Sequence, residues 1–309
     1  MNATKQLKTG IAIALAATLM ACGQPVEQAG HDTEQQHQLV PGAENRLDIY
    51  KQVPMDVDIS HLSDNQREML SLLIDAADIM DDLFWMQAYT GTKESLLKNI
   101  DDPRIRRFAE INYGPWDRLN NDQPFLQGYP QKPLGANFYP VDITREEFRE
   151  ADFHDKEGLY SLVRRHRDGQ LYTVPYSVAY VEELTEAADI LRQVADMAEN
   201  ELFANYLRLR ADAFLTDQYQ ESDYAWMDVT GNDIDIIIGP IETYEDRLFG
   251  YRTGFEAYVL IKDHEWSERL DVYAEWLPAL QRGLPVDDEY KAEEPGSEAQ
   301  LNAYDIVYY

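Results

Sequence analysis

Of 309 residues, one is a cysteine, Cys22. No disulfide can close within the chain, so any fold must rest on its apolar core rather than on covalent staples. Basic residues are also scarce, 27 against 57 acidic, for a net charge of −30. A field of that sign repels nucleic acid and anionic membrane surfaces. It suits cationic ligands, including anything with a free amine, and it equally serves solubility. Long apolar runs are absent: the best, residues 11–20, is too short to cross a bilayer as a mature helix. No GxSxG elbow, Walker loop or dinucleotide fingerprint occurs, which removes the common serine-hydrolase and nucleotide chemistries. The run His264-Glu265-Trp266-Ser267-Glu268 begins like HExxH but ends in glutamate. It lacks the second imidazole that would share a zinc ion and reads as the start of a surface helix. Asp228, Asp233 and Asp235 lack the glycine and terminal glutamate of a calcium loop.

What the chain does contain starts at its first residues. Lys5 and Lys8 precede the apolar segment, and Leu19-Met20-Ala21-Cys22 closes it. This pattern predicts an export signal over residues 1–21, with a bacterial lipoprotein box whose Cys22 becomes lipidated. A non-lipidated signal is the alternative. Gly23, rather than aspartate, follows the cysteine, which resembles lipoproteins sorted to the outer membrane of the cell envelope. Residues 22–45 are polar, rich in Gln and Glu and free of aromatics, so they are expected to form a flexible tether. His31 and His37 within it are expected to be solvated rather than metal ligands.

The body, residues 46–309, reads as mixed α+β. Ser63-Asp64-Asn65-Gln66 has capping-box spacing, and Met69, Leu73, Ala76, Met80 and Leu83 recur on one helical face behind it. A helix is expected over 63–89. A long Pro- and Gly-rich loop follows Gly114-Pro115, and long ordered loops are often functional. Asp168-Gly169 marks a hairpin. Two helices follow near Leu184–Ala198 and beyond Asn200, then strands over 233–239 and 255–263, a helix over 263–283, and an aromatic terminal strand in "LNAYDIVYY". The sequence stopping inside that strand raises the expectation that it is the front part of something longer.

The stretch "IIIGPIETYEDRLFGY" raises the functional question. An apolar strand runs into Gly239-Pro240, where it is expected to stop, and is followed at once by Glu242, Tyr244, Glu245 and Asp246. Glu242 and Tyr244 are two apart, so on extended backbone they point the same way. A carboxylate that holds an amine and a phenol that donates to an oxyanion form a peptide-handling pair. A capped turn with acids at a helix start is the bland alternative.

The segments "DDLFWMQAY", "EINYGPWDRL", "GANFYP", "LRADAFLTDQYQESDYAWMD" and "IGPIETYEDRLFGYRTGFEAYV" resemble the bacterial branch of the dipeptidyl peptidase III family of zinc peptidases. The resemblance runs over about residues 50–309. It implies two lobes around a wide cleft, mostly helical, with a small β-barrel in the lobe this chain mainly covers. It implies that Glu242 binds the substrate's free ammonium, that Tyr244 bonds the scissile carbonyl and its tetrahedral intermediate, and that Trp226 and Glu256 line the peptide groove. The interval between the two family elements is one residue longer here than in animal members. The family's zinc helix, HExxH or HExxxH, and its second acidic motif have no counterpart in the chain. Zinc is therefore expected in a full-length member and not in these residues alone. The function expected is a zinc exopeptidase releasing dipeptides from peptide N-termini, with this chain as the substrate-holding part. The alternatives are a non-catalytic peptide-binding envelope lipoprotein and a structural one in which Glu242 and Tyr244 only cap a turn.

Overall fold

The computed structural model describes residues 37–291 and 301–309. The expected signal peptide, Cys22 and most of the expected tether lie outside the described residues. The chain enters its fold earlier than composition suggests. Leu39 forms a β-bridge with Leu126, and the Val40 N–H donates to the Phe125 carbonyl at 2.9 Å. Ala43 is buried in a short 3-10 turn, Ala43–Arg46, and Arg46 pairs with Asp117 at 2.7 Å. His37 is not simply solvated: its Nε2 lies 3.2 Å from the Tyr129 hydroxyl. The apolar residues responsible, Leu39, Val40 and Ala43, sit thinly among polar ones, and their partners are far along the chain.

Helix α1 spans Asp64–Ala88. Ser63 Oγ accepts from the Gln66 N–H at 3.1 Å, and Gln66 Oε1 accepts from the Ser63 N–H at 2.9 Å, so the capping box is complete. Leu73, Ala76, Met80 and Leu83 are fully buried along its inner face. At roughly 1.5–3 kcal/mol for each large side chain, this stripe fixes α1 as the central rod of the core. Helices α2 (Lys93–Lys98) and α3 (Pro103–Asn112) follow, with Thr92 and Asp102 as their caps. The long loop is ordered. It carries a two-stranded pair, β1 (Trp116–Asp117) and β2 (Gln123–Pro124), and is pinned by the Trp116 indole N–H donating to the Pro130 carbonyl at 2.8 Å.

After α4 (Arg145–Glu150), the hairpin of β3 (Ser161–Arg165) and β4 (Leu171–Pro175) turns at Asp168-Gly169 as the dipeptide demands. The short α5 (Tyr176–Ala179) leads into α6 (Val181–Met197), α7 (Glu201–Thr216) and α8 (Gln220–Met227). Asn200 caps α7, its Oδ1 accepting from the N–H groups of Leu202 and Phe203 at 3.0 and 3.1 Å.

The main sheet is antiparallel, in the order β5 (Ile234–Glu242), β6 (Gly254–Asp263), β7 (Ala303–Tyr308). Among the described residues the sheets have two, two and three strands, and no closed barrel is present. Strand β5 does not stop at Gly239-Pro240. It continues to Glu242 through a bulge between Pro240 and Glu242. Proline is tolerated there because β5 is an edge strand and the missing N–H costs no ladder bond. Gly239 adopts φ 132°, and a Cβ there would lie 3.2 Å from the Arg210 Nη1. The helix expected over 263–283 is two helices, α9 (His264–Ala274) and α10 (Leu277–Arg282). Pro278 cannot continue a helix from the preceding turn but fits the first turn of a new one.

Candidate active site

The ends of β5 and β6 meet a cleft of about 510 Å³ that includes Glu242, Tyr244 and Glu256 in its lining. In the sheet register Glu242 lies opposite Gly254, and Glu256 is two residues further along β6. Residues two apart share a face, so the two carboxylates form a diagonal cross-strand pair on one side of the hairpin. Gly254 packs closely here. A Cβ there would come within 3.1 Å of the Phe84 ring, which closes the floor of the cleft from α1. The Gln87 side chain locks the same junction, accepting from the Phe255 N–H at 2.8 Å and donating to the Thr253 carbonyl at 3.2 Å.

Glu256 feels both effects expected of such a pair. Burial, and then the neighbouring Glu242 charge, push its carboxyl above the ordinary value. The Tyr258 hydroxyl, 3.4 Å away, offsets this in part. A cation placed between the two carboxylates would relieve both penalties at once. Tyr244 stands at the rim, 81% exposed, on the turn that follows Glu242.

The two acids that follow are held by the protein itself, although Glu245 also reaches the cleft wall. Glu245 is buried and ion-paired to Arg118 at 2.7 Å and to Lys132. Burial alone would raise its pKa, but the Arg118 and Lys132 charges outweigh that and hold it below the ordinary range. Asp246 is also buried. Its carboxylate accepts from the Tyr139 hydroxyl at 2.7 Å and from the N–H groups of Leu248, Phe249, Tyr251 and Arg252 at 2.9–3.1 Å. It closes the loop that joins β5 to β6. The carboxylates are therefore of two kinds: Glu242 and Glu256, an outward pair that lines the cleft with no ion-pair partner among the described residues, and Glu245 and Asp246, whose partners within the protein build the turn.

Trp226 is not with them. It is half-exposed on α8, and its indole N–H donates to Asp235 Oδ1 at 3.2 Å near the other end of β5. Glu242 lies seven positions along the strand from Asp235, roughly 20 Å. Residues outside the expected set do reach the cleft. Arg118 lies over the Phe84 and Tyr113 rings at 5.1 and 5.4 Å while holding Glu245, and Tyr258 and Tyr309 stack at 6.3 Å. Arg118 comes from the long ordered loop, the one feature of the sequence that pointed to it. His264 bonds Asp233 at 2.8 Å, away from the cleft lining. Among the described residues, no three of His, Cys, Asp and Glu are grouped to hold a metal ion.

The profile of peptidase family M49 matches residues 166–297. A dipeptidyl peptidase III structure from Caldithrix abyssi superposes with a TM-score of 0.77 at 37% identity, covering 86% of this chain and 52% of that one. A dipeptidyl peptidase III structure from Corallococcus sp. strain EGB does so with a TM-score of 0.75 at 33% identity, covering 84% and 50%. Nudix hydrolase 3 of Arabidopsis thaliana is 28% identical over 326 residues, which is 86% of this chain and 42% of that protein. The chain thus spans about half the length of the relatives it matches. The fold is the mixed helix and small-sheet arrangement of those structures, and the family profile together with the two structures supports the dipeptidyl peptidase III family, peptidase family M49.

Proposed function

We propose that this chain is the substrate-holding lobe of a dipeptidyl peptidase, receiving the free N-terminus of an extended peptide at the Glu242–Glu256 end of the cleft. The observation that carries the reading is the diagonal pair of carboxylates, Glu242 and Glu256, with no ion-pair partner among the described residues, in a cleft whose other walls combine aromatic rings with Arg118 and Arg247, cations that pair with Glu245 and Asp122 instead. Two like charges held together without a cation of their own are an ammonium site: at about 4 Å and an effective dielectric near 20, each attraction is worth roughly 4 kcal/mol before desolvation. Glu242, the more exposed of the two, would hold the ammonium directly, with Glu256 behind it. Tyr244, at the rim, would donate its hydroxyl to the carbonyl of the bond to be cut.

The M49 family is a zinc metallopeptidase family. The described residues do not fit that zinc, because no three metal-ligating side chains converge. No step of the reading passes through the metal, and the side chains of this lobe act by binding, orientation and hydrogen-bond donation. The rival reading, a peptide-binding protein without catalysis, draws on the same absence of a ligand set among the described residues, and shares the ammonium site. We propose in addition, from the sequence, that Cys22 carries lipid and anchors the protein in the cell envelope.

The catalytic part of the proposal is tested with Tyr244→Phe in an active protein that carries this lobe. Removing an oxyanion donor typically costs about 10² to 10³ in kcat. The expectation is a fall of that size in kcat with KM little changed. A Tyr244→Phe protein with undiminished kcat would remove the residue from the reaction and leave only binding.

A further inference from the structure

A second cavity, of about 370 Å³, opens between the end of α1, the β3–β4 hairpin and the start of α6. It is distinct from the cleft. Phe255 lines the cleft and Tyr180 lines this cavity, and the two rings meet edge-on at 5.8 Å. Much of its wall is apolar, with Met86, Leu162, Val174 and Ala179. Of the polar side chains there, Asn137 donates to the Met86 carbonyl at 2.7 Å, and the Tyr89 hydroxyl meets that of Tyr129 at 3.4 Å. Arg164 and Tyr180 are left with donors that the protein does not satisfy.

Arg164 is placed by strand alternation. It is two residues from Leu162 on β3, and Arg164 pairs with Tyr172 and Leu162 with Val174 of β4, so all four share one face of the hairpin. Its Nη1 donates to the carbonyls of Val163, Asn137 and Phe138 at 2.9, 3.1 and 3.3 Å. Those are dipoles and not charges. No carboxylate lies within ion-pair distance of Arg164 among the described residues, although the chain carries 57 acidic side chains. Its Nε and Nη2 make no hydrogen bond within the described protein. Burial pushes the guanidinium below its ordinary pKa.

Tyr180 is 5% exposed, and its hydroxyl has no hydrogen-bond partner of good geometry. The amide of Gln87, beside it, is engaged with the backbone of Phe255 and Thr253. Burial raises the phenol's pKa, so it stays a neutral donor. The carboxylate whose charge reaches it, Glu183, is not in the cavity lining. A buried donor without an acceptor and a half-buried cation without an anion, in one apolar cavity, ask for the same thing. Both lack a negatively charged acceptor. One guanidinium and one hydroxyl match the two oxygens of a carboxylate, and the remaining walls match a short hydrocarbon.

We propose that this cavity binds a small organic carboxylate with a short apolar side chain, one oxygen on the free donors of Arg164 and the other on the Tyr180 hydroxyl. The site is independent of the ammonium site at Glu242, and its test uses a ligand that the ammonium site does not take. N-acetyl-leucine has the carboxylate and the apolar side chain but no free amine. Titrated calorimetrically into the full chain, it should bind one to one with saturation at millimolar concentrations. N-acetyl-leucinamide, which lacks only the charge, should bind at least tenfold more weakly. Arg164→Gln should weaken N-acetyl-leucine tenfold or more and Tyr180→Phe three- to tenfold, whereas Glu242→Gln should leave it unchanged. Should Arg164→Gln fail to fold, the acid–amide pair and Tyr180→Phe decide, since the latter removes a single unbonded oxygen. The proposal is overturned if the acid shows no saturable binding, if the amide binds as tightly as the acid, or if Tyr180→Phe binds as wild type does.

Discussion

Glu242 and Glu245 are three residues apart in one motif, and the structure uses them in opposite ways. Glu245 is surrounded by its own cations, and burial is outweighed by Arg118 and Lys132. Glu242 and its neighbour Glu256 face each other across a cleft, and Glu256 is raised by burial and by the Glu242 charge. The first acid is satisfied by the fold. Glu256 has no such cation, and the fold leaves it beside a like charge. Glu245 and Glu256 are thus perturbed in opposite directions, the one by cations the fold supplies and the other by burial and a like charge.

The comparison can be broken most severely at Asp246. Its carboxylate gathers one hydroxyl and four backbone N–H groups. Asp246→Ala leaves several buried donors without an acceptor at roughly 1–3 kcal/mol each. Chemical denaturation should show a protein largely unfolded or destabilised by about 4 kcal/mol or more. A shift under about 1 kcal/mol would show that the loop closes without it.

Glu245→Gln comes next. Breaking one side of a buried ion pair costs roughly 3–5 kcal/mol, and here two cations lose their partner. The pH dependence adds a second signature. Because its folded-state pKa is depressed, Glu245 contributes stability above its unfolded value near 4.5, and that contribution is lost as pH falls through the folded value. Wild type should therefore lose stability on acidification below about pH 4.5 more steeply than Glu245→Gln, as read from urea midpoints at several pH values. Parallel curves would contradict the assignment.

Glu256→Gln should do the reverse, on a smaller scale. A raised folded-state pKa means that ionised Glu256 opposes folding at neutral pH, and that this opposition fades as pH falls. The substitution should leave neutral-pH stability unchanged or raise it by less than about 1 kcal/mol, since the group is partly solvated. A loss of about 2 kcal/mol or more would mean that Glu256 belongs with the structural acids.

Much of this architecture could be read directly from sequence. The capping box and apolar stripe placed α1, Asp168-Gly169 placed a hairpin, and the two-residue spacing of Glu242 and Tyr244 put both on one side, where both line the cleft. The division of labour inside the motif was not. Which way Glu245 points depends on a bulge at Pro240–Glu242 and on cations supplied by Arg118 and Lys132, more than a hundred positions away. Gly-Pro reads as a stop and so shortens the expected β5, whereas an edge strand accepts it. The barrel implied by family resemblance is replaced, among the described residues, by open sheets of two and three strands. Trp226 matched by linear spacing to Glu242, yet it sits near the opposite end of the strand that joins them. Arg164 and Tyr180 carried no signal at all, because an unsatisfied donor is visible only once its surroundings are known.

The central claim is that the outward acids wait for an ammonium. It is tested most directly by calorimetric binding of one short peptide to this chain, in free and N-acetylated forms, with wild type and Glu242→Gln. The account predicts that wild type prefers the free peptide by about tenfold or more, or roughly 1.4 kcal/mol, and that Glu242→Gln largely loses the preference while remaining as stable as wild type. Equal binding of the two peptides by wild type, or a preference untouched by Glu242→Gln, would contradict it and return the outward pair to the role of a capped turn.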